Sequence, residues 1–206
     1  MEDLLELYAE PYDWRHPVVC FDERPYQMVE ETRTPLPAQP GRTARYDFEY
    51  KRQGTCNLFV FFQPLKGWRK VKVTERRTKA DFAHCMRELV DDYFPQADKI
   101  RLVLDNLNIH TPVALYETFS PEEARRILRK LEFHATPKHG SWLNMVEIEI
   151  SVLSRQCLDQ WIPGKERVKE ETRAWERERN RKRTKVYWQF TIPDARVKLH
   201  RFYPLS

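Results

Sequence analysis

The chain has 206 residues, of which 41% are hydrophobic and 13% aromatic, and it carries a formal net charge of +5. This length suits one domain with a substantial core, and the mild positive charge is compatible with a polyanionic partner. The sequence holds no apolar run near the roughly 18 residues of a membrane span, and its acidic start is unlike a signal peptide. We therefore expect a soluble, cytoplasmic protein.

Strands dominate the first half of the predicted structure. Runs of β-branched, aromatic and other apolar residues predict strands at 18–22, 46–50, 56–62 and 68–73. The segment 32–45 is rich in proline and glycine and predicts an exposed loop. The pairs Gln53-Gly54 and Lys66-Gly67 predict turns that join the later strands into an antiparallel meander.

The second half alternates helices and strands. Apolar residues at helical spacing predict a helix from Lys79 that ends before Pro95, and the near-continuous apolar run 100–105 predicts a buried strand. Ser120-Pro121-Glu122-Glu123 forms a capping box that begins the next helix. A strand at 132–136 and a helix at 143–158 follow. This order predicts an α/β fold, with a mixed five-stranded sheet flanked by helices in the ribonuclease H-like arrangement.

The four cysteines predict neither a zinc site nor a disulfide framework. They lie far apart, at Cys20, Cys56, Cys85 and Cys157, without any Cys-x-x-Cys spacing. Because free cysteine is among the most frequently buried residue types, we expect four reduced core thiols.

The segment 165–185 contains ten basic and five acidic residues around a thin apolar seam. Two interpretations remain open for it, a solvated helix face or a surface that contacts the DNA backbone. The residues favoured for phosphate contact are Arg179, Arg181, Lys182, Arg183 and Lys185.

Three carboxylates stand where a fold can gather negative charge for a divalent cation. Asp22 and Asp105 end apolar strand-like runs, and Glu147 lies near the start of an amphipathic helical pattern. Oxygen ligands of this kind suit Mg²⁺ and the two-metal chemistry of phosphodiesters. Asp22 and Asp105 could equally be turn residues, with Glu23 competing beside Asp22. Glu149 is the weaker candidate for the third acid, because helical geometry turns it away from Glu147.

The motifs around these acids resemble the DDE transposases of the bacterial insertion sequence 630 family, relatives of the mariner transposases. The resemblance rests on Asp22-Glu23, on Leu104-Asp105-Asn106-Leu107-Asn108-Ile109-His110 and on Thr136-Pro137-Lys138-His139-Gly140-Ser141-Trp142-Leu143-Asn144-Met145-Val146-Glu147. It covers nearly the whole chain, and the last motif is long and specific.

The resemblance implies a ribonuclease H-like DNA endonuclease and strand transferase. Asp22, Asp105 and Glu147 would be catalytic and would ligate two Mg²⁺ or Mn²⁺ ions. Water would attack the phosphodiester at the element's end, and the released 3′ hydroxyl would attack target DNA. Lys138 and His139 are candidates for phosphate contact. The partners implied are the terminal repeats and target DNA, with a homodimer assembled on DNA and a nucleoid-associated location.

Two residues after the second acid are secondary candidates. Asn106 follows Asp105 directly, and His110 lies five residues beyond it. His110 could orient a phosphate or water, or it could serve as a structural hydrogen-bonding group, and the sequence favours neither.

The predicted domain division is 1–16, 17–162 and 163–206. The first part, with Leu4, Leu5 and Tyr8 on one face and Pro11 as a stop, predicts the end of a linker helix that begins upstream. The second is the catalytic domain, and the third a basic helical extension packed on it. Family members carry N-terminal helix-turn-helix modules, which this chain lacks, so we expect a separate upstream polypeptide or a truncated copy.

Two other functions compete with the transposase hypothesis. A nuclease on the same fold would cut DNA without joining it. A non-catalytic remnant would repress transposition by occupying DNA or by pairing with an intact transposase.

Overall fold

A mixed β-sheet forms the centre of the protein in the computed structural model, which describes residues 1–33, 37–43, 49–200 and 203. The strands are β1 (Val18–Glu31), β2 (Tyr50–Gln63), β3 (Trp68–Thr74), β4 (Ile100–Leu104) and β5 (Leu131–Ala135). The helices are α1 (Glu2–Ala9), α2 (Lys79–Glu88), α3 (Pro112–Thr118), α4 (Pro121–Lys130), α5 (Val146–Gln156), α6 (Lys165–Lys182) and α7 (Ile192–Lys198).

The order of the strands across the sheet is β3-β2-β1-β4-β5 in the described part of the chain. β1, β2 and β3 pair antiparallel as a meander, whereas β4 pairs parallel with both β1 and β5. The prediction of a mixed five-stranded sheet flanked by helices is therefore confirmed. The parallel strands need helical crossovers, which α2 to α4 supply.

The sheet separates two cores, because successive side chains of a strand point to opposite faces of the sheet. On β1, Cys20 packs into the core shared with α1, α5 and α6, whereas Val19 and Phe21 pack into the core shared with α2, α3 and α4. β4 divides in the same way, with Val103 on the α5 side and Leu102 on the other. The four cysteines are all buried and unpaired, as predicted.

The β1–β2 hairpin is longer than the sequence predicts. β1 continues nine residues beyond the predicted end at Asp22, and its pairing with β2 extends to Glu31 and Tyr50. The predicted turn at Gln53-Gly54 is wrong, because both residues lie inside β2. A register shift occurs there, and Gly54 adopts a φ of +88°, which marks a β-bulge. The predicted strand 46–50 lies largely outside the described residues.

The helices are close to the predicted ones, with two additions. α2 begins at a Thr78–Asp81 capping box and runs into a π-helical turn, Leu89–Tyr93. α4 begins after the Ser120 cap, as predicted. The helix predicted from residue 143 begins at Val146 instead, after a 3₁₀ turn at Ser141–Leu143. The sequence did not indicate α3 or α7. Within the described ranges, no helix is long and apolar enough to cross a membrane.

α6 covers the outer edge of the sheet. The Asn180 side chain accepts a hydrogen bond from the Arg69 N–H at 2.9 Å and donates one to the Arg69 carbonyl at 2.8 Å. One turn earlier, the Glu176 carboxylate accepts the Val71 N–H at 3.0 Å. These side chains satisfy backbone groups of β3 that an uncovered edge strand would leave open.

Candidate active site

Asp22 lies within β1, not at its end as predicted, but it sits just past the point where β1 stops pairing with β4. The last parallel pair is Cys20 with Val103, so the Asp22 side chain projects beside an open stretch of the strand. Strand alternation places it on the same face as Cys20, which is the α5 side. The residue is only 8% exposed.

Asp105 is the first residue after β4. Its Oδ1 accepts the Leu107 N–H at 3.1 Å and contacts His110 Nδ1 at 2.6 Å. The hydrogen bond with His110 is the main reason why the pKa of Asp105 lies below its ordinary value. Alternation along β4 gives Asp105 the face of Val103, which is also the α5 side.

Glu147 reaches the same region because Asn144 anchors the start of α5 to β1. The fully buried Asn144 donates a hydrogen bond from Nδ2 to the Phe21 carbonyl at 2.9 Å. Tyr8 holds the preceding residue, since its hydroxyl donates to the Leu143 carbonyl at 2.8 Å. Glu147 itself is exposed, and its carboxylate makes no hydrogen bond or ion pair with any residue of the described ranges.

The three acids influence one another electrostatically. Burial raises the pKa of Asp22 to about 7, and the negative charges of Asp105, Glu23 and Glu147 add to this rise, while the Glu23 N–H bonded to Asp22 at 2.8 Å opposes it. Burial and nearby negative charges both disfavour the ionised form of a carboxyl group. A divalent cation at this place would remove that penalty.

The donor chemistry fits a hard divalent cation. Oδ2 of Asp22, Oδ2 of Asp105 and both carboxylate oxygens of Glu147 accept no hydrogen bond from the described residues, so they are available as oxygen ligands. Over the described ranges, no three Asp, Glu, His or Cys side chains form a compact cluster that could hold a metal ion. The three acids share a face without being gathered into a finished site.

A buried chain of hydrogen bonds supports Asp105 from behind. His110 has a side chain with no exposed surface, and its Nε2 contacts Glu23 Oε2 at 2.9 Å. Glu23 in turn forms an ion pair with Arg77 at 3.2 Å. Burial alone would lower the pKa of His110, but the hydrogen bonds and charges of Asp105 and Glu23 outweigh it and raise the pKa to about 9.

These hydrogen bonds support the interpretation of His110 as a structural group. The ring packs against Phe21 and Phe82, with ring centroids 5.4 and 5.0 Å away, and leaves no surface that a phosphate could approach. His110 is therefore a buried hydrogen-bonding group. The sequence indicates Glu23 only as an alternative to Asp22 and indicates no role for Asn144. Both residues act through hydrogen bonds to residues far away in the chain, which no local pattern records.

Asn106, Lys138 and His139 occupy the loops around the acids. Asn106 donates from Nδ2 to the Thr136 carbonyl at 2.5 Å and so links the loop after β4 to the end of β5. Lys138 and His139 are exposed on the loop between β5 and α5, where His139 adopts a left-handed φ of 62°. Neither side chain has a hydrogen bond within the described ranges.

The basic residues near the end of α6 do not act as one cluster. The Arg179 guanidinium donates two hydrogen bonds, at 2.9 and 3.0 Å, to the fully buried Glu149. Glu149 also forms an ion pair with Arg69 at 2.9 Å, so this acid is a structural partner of two arginines. Arg181 and Lys182 both pair with Glu178, at 2.9 and 3.0 Å.

Comparison with known proteins supplies the context for this geometry. Residues 17–169 match the sequence profile of the family described as "DDE superfamily endonuclease". A search of curated proteins finds no match.

Several solved structures are similar in fold. The Mos1 mariner paired end complex with Mn shares 19% identity with this chain at a TM-score of 0.57, over 89% of this chain and 55% of that one. A pre-cleavage Mos1 transpososome shares 16% identity at a TM-score of 0.56, over 91% and 61%. The Mos1 paired end complex with Mg shares 15% identity at a TM-score of 0.52, over 91% of this chain and 61% of that one. The chain thus spans 55% to 61% of the length of these relatives. The likeness confirms the predicted ribonuclease H-like fold.

Proposed function

The chain belongs to the DDE superfamily of endonucleases, and on this premise we propose that it is the catalytic domain of a transposase of the insertion sequence 630 family. Its reaction would be metal-dependent cleavage of DNA at the element's ends, followed by strand transfer into target DNA. The domain would span residues 17–162, with 163–206 as a basic extension packed on it and 1–16 as the end of a linker.

The observation that carries this proposal is the convergence of Asp22, Asp105 and Glu147 on one face of the sheet. Burial is the main reason why the pKa of Asp22 is raised, and the negative charges of Asp105 and Glu147 add to the rise, so the three acids lie near enough to interact. They come from β1, from the end of β4 and from the first turn of α5, which are elements held together by the sheet and by Asn144. A carboxylate whose pKa is shifted by burial and by neighbouring charges, as that of Asp22 is, is typical of functional sites.

Asp22, Asp105 and Glu147 would hold two Mg²⁺ or Mn²⁺ ions through their free oxygens. Two of the similar structures are complexes with Mn and with Mg, which supports this choice of metals. Such ions supply Lewis-acid polarisation of the phosphodiester and lower the pKa of the attacking water. Glu23 and His110 would keep Asp105 in place through the buried hydrogen-bond chain.

DNA would approach from the side of the exposed loops. Lys138 and His139 flank the start of α5 and have free polar groups that could contact phosphates near Glu147. Similar structures are named as paired end complexes, which supports assembly as a dimer on DNA. Arg181 and Lys182 form ion pairs with Glu178, so they would contact phosphates only if these ion pairs were broken or shared with the phosphate. Recognition of the terminal repeats by a helix-turn-helix polypeptide belongs to the same proposal.

A nicking and joining assay tests the proposal. The purified chain is incubated with Mg²⁺ or Mn²⁺ and with DNA that carries the ends of its own element, and 3′ ends and joined products are resolved by sequencing gels. We expect both products from the wild type and neither from Asp105→Asn or Glu147→Gln. Glu122→Gln, an exposed acid of α4 away from the site, is the matched control and should retain full activity.

The same assay separates the competing functions. Cleavage without joined products would support a nuclease on this fold. DNA binding without either product, unchanged in Asp105→Asn, would support the non-catalytic repressor and overturn the proposal.

A further inference from the structure

Two chain segments meet at the end of the sheet opposite to Asp105. The β2–β3 turn lies where β1 and β4 begin, whereas Asp105 follows the last residue of β4. The segment after α6 crosses this turn, and the Val186 N–H donates to the Pro64 carbonyl at 3.2 Å. This junction is remote from the carboxylates and serves no role in the proposed cleavage.

The junction is held by a buried arginine. Arg69 has no exposed surface and donates to the Gly67 carbonyl at 3.0 Å and to the Thr184 carbonyl at 2.7 Å. Gly67 allows the close approach, because a Cβ at this position would lie 2.6 Å from the Arg183 backbone. Arg183 adopts a left-handed φ of 48° where α6 ends, which turns the chain across the β2–β3 turn. Buried hydrogen bonds and close backbone packing therefore fix the two segments against each other.

The junction presents three cations that have no partner. Lys66, Arg183 and Lys185 are exposed, and none makes a side-chain hydrogen bond or ion pair with a residue of the described ranges. All three line one cleft of about 350 Å³, whose wall includes Tyr12 and Trp68. Arg181 and Lys182, only a few residues earlier, pair with Glu178 instead. Within the basic stretch 179–185, the cations without a partner among the described residues are therefore the two that line the cleft.

Aromatic rings continue the surface beyond the cations. A second cleft of about 380 Å³ shares Tyr12, Lys66 and Trp68 with the first and adds Trp14. Tyr12 and Trp14 are 44% and 53% exposed, so both rings are accessible beside the cations. The lining of the second cleft includes one acid, Asp92, and that of the first includes none among the described residues.

From this surface we propose a second nucleic-acid site, defined by Lys66, Arg183, Lys185, Tyr12 and Trp14, that binds single-stranded DNA. The three cations would contact successive phosphates, and the exposed rings would stack with unpaired bases. A duplex keeps its bases stacked inside and offers the rings no partner, which is the reason for choosing a single strand. The inference rests on the proposed function, since cuts at offset positions in the two strands of an element end would leave unpaired bases near the protein.

Fluorescence anisotropy with a labelled eight-residue thymidine oligonucleotide tests the proposal. EDTA is present, so that the result does not depend on metal-dependent cleavage. We expect Arg183→Asn with Lys185→Gln to flatten the slope of log affinity against log salt by about 0.7 for each phosphate contact removed. The control is Arg125→Gln with Arg129→Gln, which removes two equally exposed and unpaired cations from α4 and should leave the slope unchanged.

The aromatic half of the site has its own readout. Tyr12→Ala with Trp14→Ala should weaken binding at least about fivefold at every salt concentration without changing the slope, since stacking is not ionic. Both rings are exposed, so the fold should tolerate the change, which circular dichroism verifies.

Three outcomes would overturn the proposal. They are failure of the wild type to bind the oligonucleotide, an equal loss in the α4 control, and equal or tighter binding of the matching duplex with no effect of the aromatic variant. Loss of cleavage with oligonucleotide binding intact would instead count against the proposed function alone.

Discussion

Asn144 and Phe21 are 123 positions apart in the chain, and one hydrogen bond of 2.9 Å between the Asn144 side chain and the Phe21 carbonyl joins α5 to β1. Phe21 precedes Asp22, and Asn144 precedes Glu147 by three residues. The distance between two of the three acids is therefore set by a neutral amide that touches neither carboxylate.

Replacing Asn144 by Ala should loosen the site as well as the fold. The Phe21 carbonyl would be left buried without its partner, which costs about 1–3 kcal/mol in the free energy of unfolding. Urea denaturation measures this loss, and calorimetry should show weaker Mn²⁺ binding. Asn108→Ala, at an exposed residue of the loop after β4, is the control and should change neither quantity. Unchanged Mn²⁺ affinity in Asn144→Ala would limit Asn144 to a role in stability.

Glu147 and Glu149 should respond in opposite ways to the same substitution. Glu149→Gln leaves Arg69 and Arg179 without their shared carboxylate, and breaking a buried ion pair costs roughly 3–5 kcal/mol. Glu147→Gln alters an exposed side chain and should change stability by no more than about 0.5 kcal/mol while abolishing cleavage. Urea denaturation and the nicking assay measure the two effects. Normal cleavage by Glu147→Gln would remove it as the third acid.

Glu23 should support the site through His110. Glu23→Gln weakens the hydrogen bond that orients the ring, and loss of such an outer partner costs about 10–100-fold in metal affinity. Arg77→Gln should have a smaller effect, because the Arg77 side chain is 46% exposed and its attraction to Glu23 is screened. Calorimetric titration with Mn²⁺ gives both values, and an equal affinity in Glu23→Gln and the wild type would contradict the prediction.

The Asp22 carboxyl should contribute a loss of stability to the metal-free protein as the pH rises from 4 to 8. Asp22 has a pKa of about 7 in the folded protein against an ordinary value of 3.8, so the folded state binds more protons than the unfolded state in this window. Stability then falls with rising pH. Asp22→Asn removes the effect and should be more stable than the wild type at pH 8, but not at pH 4. Denaturation in EDTA at both pH values checks this difference, and parallel pH dependence in the two proteins would refute it.

Local pattern was sufficient for most of the elements. The apolar runs of β1 and β4, the Ser120 capping box and the apolar stripe of α2 each depend on residues a few positions apart, and each predicted its element. The prediction of a turn at Gln53-Gly54 is wrong because Gly54 forms a β-bulge inside β2. Turns and bulges both favour a glycine with positive φ, so the sequence does not distinguish them. α3 and α7 are single short helices of seven residues, too short for a clear period.

The sequence by itself determined the fold class and indicated Asp22, Asp105 and Glu147 as candidates. The apolar runs that predict the elements and the motif segments around the three acids each consist of residues close together in the chain. The tertiary structure alone decided which charges are free. It buried Glu149 between Arg69 and Arg179, enclosed His110 between Asp105 and Glu23, and left Arg183 and Lys185, beside Lys66, without a partner among the described residues. The physical reason is that a charge is free or bound according to partners up to about a hundred residues away, which no local pattern records.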